Sequence, residues 1–98
     1  MSVQMVIELV DRQGAQAVLQ ALETYKTRLR LGIERTRRRL CEFEQRHGVT
    51  TAYLLERMAA EDLSGDDLEY VEWAGEAKLL KGLETELREL EHARYQLP

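Results

Sequence analysis

The sequence predicts an all-α protein: an antiparallel hairpin of two long, coiled-coil-like helices with short N-terminal and connecting helices, expected to be oligomeric. Three observations carry this. The single proline is Pro98, so no earlier position lacks an amide donor or has φ locked by a ring. Two long stretches repeat apolar residues at steps of three and four, the period of one helical face. The charged share of 33% exceeds the usual figure of about 25%, as long solvated helices require.

In chain order, residues 2–13 are the ambiguous element. Val3, Met5, Ile7 and Leu9 alternate as a strand would, while Val6 and Val10 also fit a helix stopped by Gly14. A short helix is the preferred reading, because a strand needs a partner that only a second chain could supply. As a strand, the segment would allow dimeric pairing in the manner of small DNA-binding antitoxins. The next helix is predicted over about 15–47, roughly 50 Å long. Its stripe is Val18, Leu22, Tyr25, Leu29, Ile33, Thr36, Leu40 and Phe43. Gly32 lies inside it, and His47-Gly48 provides a cationic last turn and a left-handed stop.

Thr50 is the expected N-cap of a short helix over 51–60, with Tyr53, Leu54 and Met58 as its apolar contacts. Ser64-Gly65 interrupts the pattern. Asp66 and Asp67 then stand where negative charge favours a helix start, and the last helix is predicted over 66–96. Its stripe is Tyr70, Trp73, Ala77, Leu80, Leu83, Leu87, Leu90 and Leu97, with Arg94 in place of a leucine. The four helices form a single helical domain over 1–98. A two-helix hairpin is thin for its length, so self-association as a homo-oligomer, or a partner, is expected.

Charge is segregated although the net value is only −4. Residues 26–46 hold eight basic against three acidic side chains, and residues 56–76 hold one against eight. Arg28, Arg35, Arg39 and Arg46 fall within about 20° of one line on the helix. This basic ridge has two readings, a ladder of ion pairs to the acidic helix or contact with nucleic acid. Net charge and the facing acidic helix oppose the second. Asp66, Asp67, Glu69, Tyr70, Glu72 and Trp73 form the candidate partner-binding face, aromatic anchors in an acidic rim. Trp73 could equally be a core residue where the short helix packs on the hairpin.

Several chemistries find no constellation. Glu44-x-x-His47 and Glu89-x-x-His92 have the spacing of di-iron bundles, but in a hairpin the two histidines lie about 40 Å apart along the helix. No metal site or cofactor is expected within one chain. Cys41 is six residues from His47, so no thiol–imidazole pair forms, and a semi-buried thiol beside Leu40 is expected. Without a phosphate loop, a Ser-His-Asp set or paired pocket acids, the chain does not read as an enzyme. Its lone cysteine, the lack of a signal-peptide pattern and of any run near 20 apolar residues predict a cytoplasmic protein without a membrane role.

Residues 66–76, Asp-Asp-Leu-Glu-Tyr-Val-Glu-Trp-Ala-Gly-Glu, combine with Phe43-Glu44-Gln-Arg-His47-Gly48-Val49 and the leucine-rich tail. On these motifs, over about residues 15–97, the chain resembles a family of small helical prokaryotic proteins described as predicted antitoxins of two-gene toxin–antitoxin modules. It departs from that pattern at His47, where a tyrosine is expected before the glycine. The resemblance implies that the chain binds and neutralises a small protein toxin, and it brings no catalytic residues. The alternative function is a structural coiled-coil adaptor or self-assembling scaffold without a toxin partner.

Overall fold

The computed structural model describes residues 1–61 and 68–95. Its three helices are α1 (Arg12–His47), α2 (Thr51–Glu61) and α3 (Leu68–Glu91), and no strand occurs among the described residues. The α1 start differs from the sequence reading. Residues 1–9 form no helix, and α1 begins at Arg12, capped by Asp11, whose Oδ1 accepts the Gly14 N–H at 3.0 Å. Gly14, read as a stop, is thus the third residue of the helix. The helix expected over 2–13 is absent because its apolar side chains would meet no other element, and isolated helices of that length are marginal in water.

The end of α1 follows expectation. Gly48 takes φ +68° and donates its N–H to the Glu44 carbonyl at 2.8 Å, a conformation that glycine adopts without a Cβ penalty. Thr50 caps α2 by accepting the Tyr53 N–H on its hydroxyl at 3.1 Å, and Glu44 Oε2 accepts the Thr51 N–H at 2.7 Å. With both caps supplied within seven residues, the chain reverses between α1 and α2 at a defined angle. The predicted Ser64-Gly65 interruption lies outside the described residues.

α3 runs antiparallel to α1, as the cross-helix pairs Arg46–Glu69, Arg39–Glu76 and Tyr25–Glu86 show. It ends at Glu91, five residues before the expected end. The Tyr95 ring instead lies under the Lys26 ammonium, 5.2 Å from it, and this cation–π contact is served by leaving the helical path. Leu97 lies outside the described residues.

The core is asymmetric along the hairpin. At the closed end Leu40, Phe43, Leu54 and Trp73 are buried together, with Val49, Met58, Tyr70, Ala77 and Leu80 packed around them. Farther along, Leu29, Ile33 and Thr36 of α1 are buried, whereas the α3 leucines opposite are only half-buried. Thr36 fits because its hydroxyl donates to the Gly32 carbonyl at 2.7 Å, which satisfies it without a partner helix. Gly32 itself lets Leu83 pack 3.3 Å from where a Cβ would stand. Tyr53 is exposed rather than packed, and its hydroxyl accepts from Arg57 at 2.8 Å. Cys41 is exposed, not semi-buried, because it falls on the far side of α1 from Leu40 and Phe43.

The resulting body measures 56 × 28 × 19 Å with a radius of gyration of 19.1 Å, where a compact chain of this length has about 13 Å. Its accessible surface is 8293 Å², against about 5,800 Å² for a compact monomer of this mass. No helix among the described residues is long and apolar enough to cross a membrane.

Candidate interaction surface

The acidic-aromatic segment is divided by the fold into a buried half and an outward half. Trp73 is 0% exposed. Its indole stacks on Phe43 with centroids 5.5 Å apart and planes at 11°, and His47 lies against it at 5.3 Å and 27°. The indole N–H donates to Thr51 Oγ1 at 2.9 Å, so the one polar atom of this large side chain is satisfied at the α2 start. Of the two places left open by the sequence, the core is the one it occupies, and it cannot serve as an exposed anchor in the folded chain. Tyr70 is half-buried, its ring tilted at 59° against His47.

The acids on the flank are paired to the basic helix. Arg39 reaches Glu76 at 3.4 Å and Glu72 at 3.7 Å, Arg46 binds Glu69, and Arg37 binds Glu84 at 2.8 Å. This is the ion-pair ladder, one of the two readings of the basic ridge. Arg39 and Arg46 also lean over the Phe43 ring. The ladder is partial, since Arg28 and Arg35 make no ion pair among the described residues. Asp66 and Asp67, the other acids of the predicted face, lie outside the described residues.

Sequence reasoning missed a second stripe on α3. Leu68, Val71, Gly75, Leu79 and Gly82 follow at steps of three, four, four and three, which centres them about 160° from Trp73 on the helix. Leu68 is 74% exposed, Val71 47% and Leu79 49%. An added Cβ at Gly75 or Gly82 would meet nothing within 4 Å. The same periodicity that found the core stripe detects this one; it was overlooked because two of its five members are glycines.

No protein-family model, curated protein or solved structure matches the chain.

The two E-x-x-H pairs are drawn into other contacts or onto the surface. Glu44 caps α2 and His47 packs between aromatic rings, while His92 is exposed past the end of α3. Among the described residues no three His, Cys, Asp or Glu side chains are placed to hold one metal ion. His47 Nε2 is buried 3.1 Å from Glu69 Oε1. The His47 contact is the largest influence and holds the Glu69 carboxyl below its ordinary value; desolvation opposes it, and Arg46 adds to the lowering.

A lowered carboxyl pKa stabilises the folded chain at pH above the unfolded value, about 4.3. That contribution is lost as pH falls through the lower folded value. Glu69→Gln should therefore melt below the parent chain at pH 6, and the difference should shrink as pH falls through and below the ordinary carboxyl range. A constant difference across that range would show that Glu69 does not act through its charge.

Proposed function

We propose that the chain is a protein-binding module which covers the outward face of α3 with a small protein partner, the toxin-neutralising role that the resemblance implies. The observation that supports this most directly is the exposed stripe Leu68, Val71 and Leu79 with Gly75 and Gly82. Two glycines inside a solvent-facing helix each cost about 0.5–1 kcal/mol relative to alanine. Among the described residues nothing lies within 4 Å of where their Cβ atoms would stand. A partner helix or strand passing over this face would use the missing side chains for close approach, with the leucines and Val71 as apolar contacts.

Charge favours a basic partner. Asp66 and Asp67 adjoin Leu68 in sequence, and the chain is acidic overall at −4. Such a field raises the rate of encounter more than the final affinity. The role is one of binding without catalysis, carried out in the cytoplasm.

The experiment is titration calorimetry against the protein encoded by the neighbouring gene. Leu79→Asp is expected to weaken binding by about 30- to 1,000-fold, the range of a hot-spot loss of 2–4 kcal/mol, with the melting temperature of the free chain nearly unchanged. Gly75→Ala should raise that melting temperature yet weaken binding. No binding by the parent chain at tens of micromolar would overturn the toxin-neutralising reading, and equal binding by Leu79→Asp would move the partner off this face.

A further inference from the structure

Among the described residues one buried side-chain nitrogen or oxygen has no hydrogen-bond partner, His47 Nε2. Buried polar atoms are nearly always paired, so an exception calls for a reason. His47 is the last residue of α1 and sits where the three helices meet. Its ring lies against Trp73, with centroids 5.3 Å apart, and against Tyr70 at 5.4 Å, and the same indole donates to Thr51 at the α2 start. Nε2 stands 3.1 Å from Glu69 Oε1 in the first turn of α3.

A neutral imidazole leaves that nitrogen buried without a partner. A charged one is favoured on three sides. The Glu69 carboxylate is an opposite charge within ion-pair distance. The Trp73 and Tyr70 rings lie within the roughly 6 Å over which a cation is attracted to a π-system. The open carbonyls at the C-terminus of α1 carry about half a negative charge. Of the other ionisable neighbours, Arg46 on the same helix opposes, but it is exposed and binds the same Glu69 carboxylate. Glu44, one turn back, is occupied with the Thr51 N–H. Tyr70 presents its ring, and α2 brings the uncharged Thr51 to this cluster.

We propose that His47 is a proton-operated latch: charged, it fastens the first turn of α3 to the end of α1, and neutral, it lets that turn open. Imidazole is the side chain whose charge changes between about pH 5 and 8. The three favourable interactions exist only in the folded chain, so the fold binds this proton more strongly than the unfolded chain does. The stabilisation is therefore present at the acid end of the window and is lost as pH rises through it. That slope is opposite to the one set by the lowered Glu69 carboxyl, whose contribution disappears at acid pH, and the two act in different pH ranges. Opening is local because Glu69 lies in the first turn, to whose carbonyls the amides of Glu72, Trp73 and Ala74 bond. The latch is a property of the free chain and does not rest on the partner-binding reading.

Trp73 is the only tryptophan, and a charged imidazole quenches an indole stacked on it, so fluorescence of the parent chain reads the latch directly. Emission should fall on acidification from pH 8 to pH 6 with helical circular dichroism unchanged. Over the same interval the melting temperature should rise by at least about 4 °C, the shift that a roughly fivefold preference for the charged ring gives in a domain of this size. Exchange protection of the Glu72, Trp73 and Ala74 amides, corrected for intrinsic rates, should rise by a similar factor. His47→Phe keeps a stacked ring that cannot take a proton and should abolish all three changes; His47→Gln serves the same purpose should the Phe variant not fold. Glu69→Gln should shrink the melting shift while leaving the quenching, and His92→Gln should leave everything as in the parent. Flat emission or a flat melting temperature between pH 6 and pH 8 in the parent chain would overturn the proposal. So would a pH dependence that survives both His47 substitutions or one that His92→Gln removes.

Discussion

Trp73→Ala is expected to cost about 3–5 kcal/mol of folding stability, the largest effect of any single truncation in this chain. Its indole fills the closed end of the hairpin, stacked with Phe43 and His47 and hydrogen-bonded to Thr51. Removing it opens a cavity touching all three helices. Against a total stability of about 5–15 kcal/mol for small domains, that loss brings the chain near unfolding at 37 °C. Trp73→Phe keeps the stack with Phe43 and should cost less. Thr51→Val leaves the indole N–H buried without an acceptor and should cost about 1–3 kcal/mol. Thermal and urea unfolding of the free variants measure these values. A Trp73→Ala variant as stable as the parent would mean that the side chain is not the centre of the core.

The second large effect is expected at Leu54. It is buried and is the main apolar contact of α2 with the Phe43–Trp73 cluster, Met58 being only partly buried. Leu54→Ala should cost about 2–5 kcal/mol. Because α2 is only 11 residues long and has little helical stability of its own, the loss should appear locally before it appears globally. Hydrogen exchange should show α2 amides losing protection while those of α1 between Leu29 and Leu40 retain most of theirs. Uniform loss along the chain would instead show that α2 is an integral part of one cooperative unit.

These two residues also mark how far the sequence can be read. Leu54 is read from the sequence, with Tyr53 and Met58, as an apolar contact of the short helix, and the structure buries Leu54, partly buries Met58 and leaves Tyr53 exposed. Trp73 was left between core and interface because a periodic stripe specifies which face of a helix is apolar without specifying what that face meets. The charge pattern had the same limit: Arg39 and Arg46 could be placed on a ridge, but whether acids of α3 would answer them depended on the helix register.

Local signals written within a few residues were legible without coordinates. The Gly48 stop, the Thr50 cap, both long helices and their antiparallel packing follow from backbone conformational preference, capping chemistry and periodicity, all of which act over short separations. The sequence by itself therefore determined the helical hairpin and the turn at Gly48–Thr50. Tertiary structure alone decided that residues 1–9 remain outside any helix, that Trp73 is enclosed by His47 and Thr51, that Tyr95 leaves α3 for Lys26, and that Leu68, Val71 and Leu79 face outward. The physical reason is common to all four: each outcome depends on which surfaces lie within a few ångströms after the chain has folded back, and burial and pairing energies belong to that proximity, not to the residues taken singly.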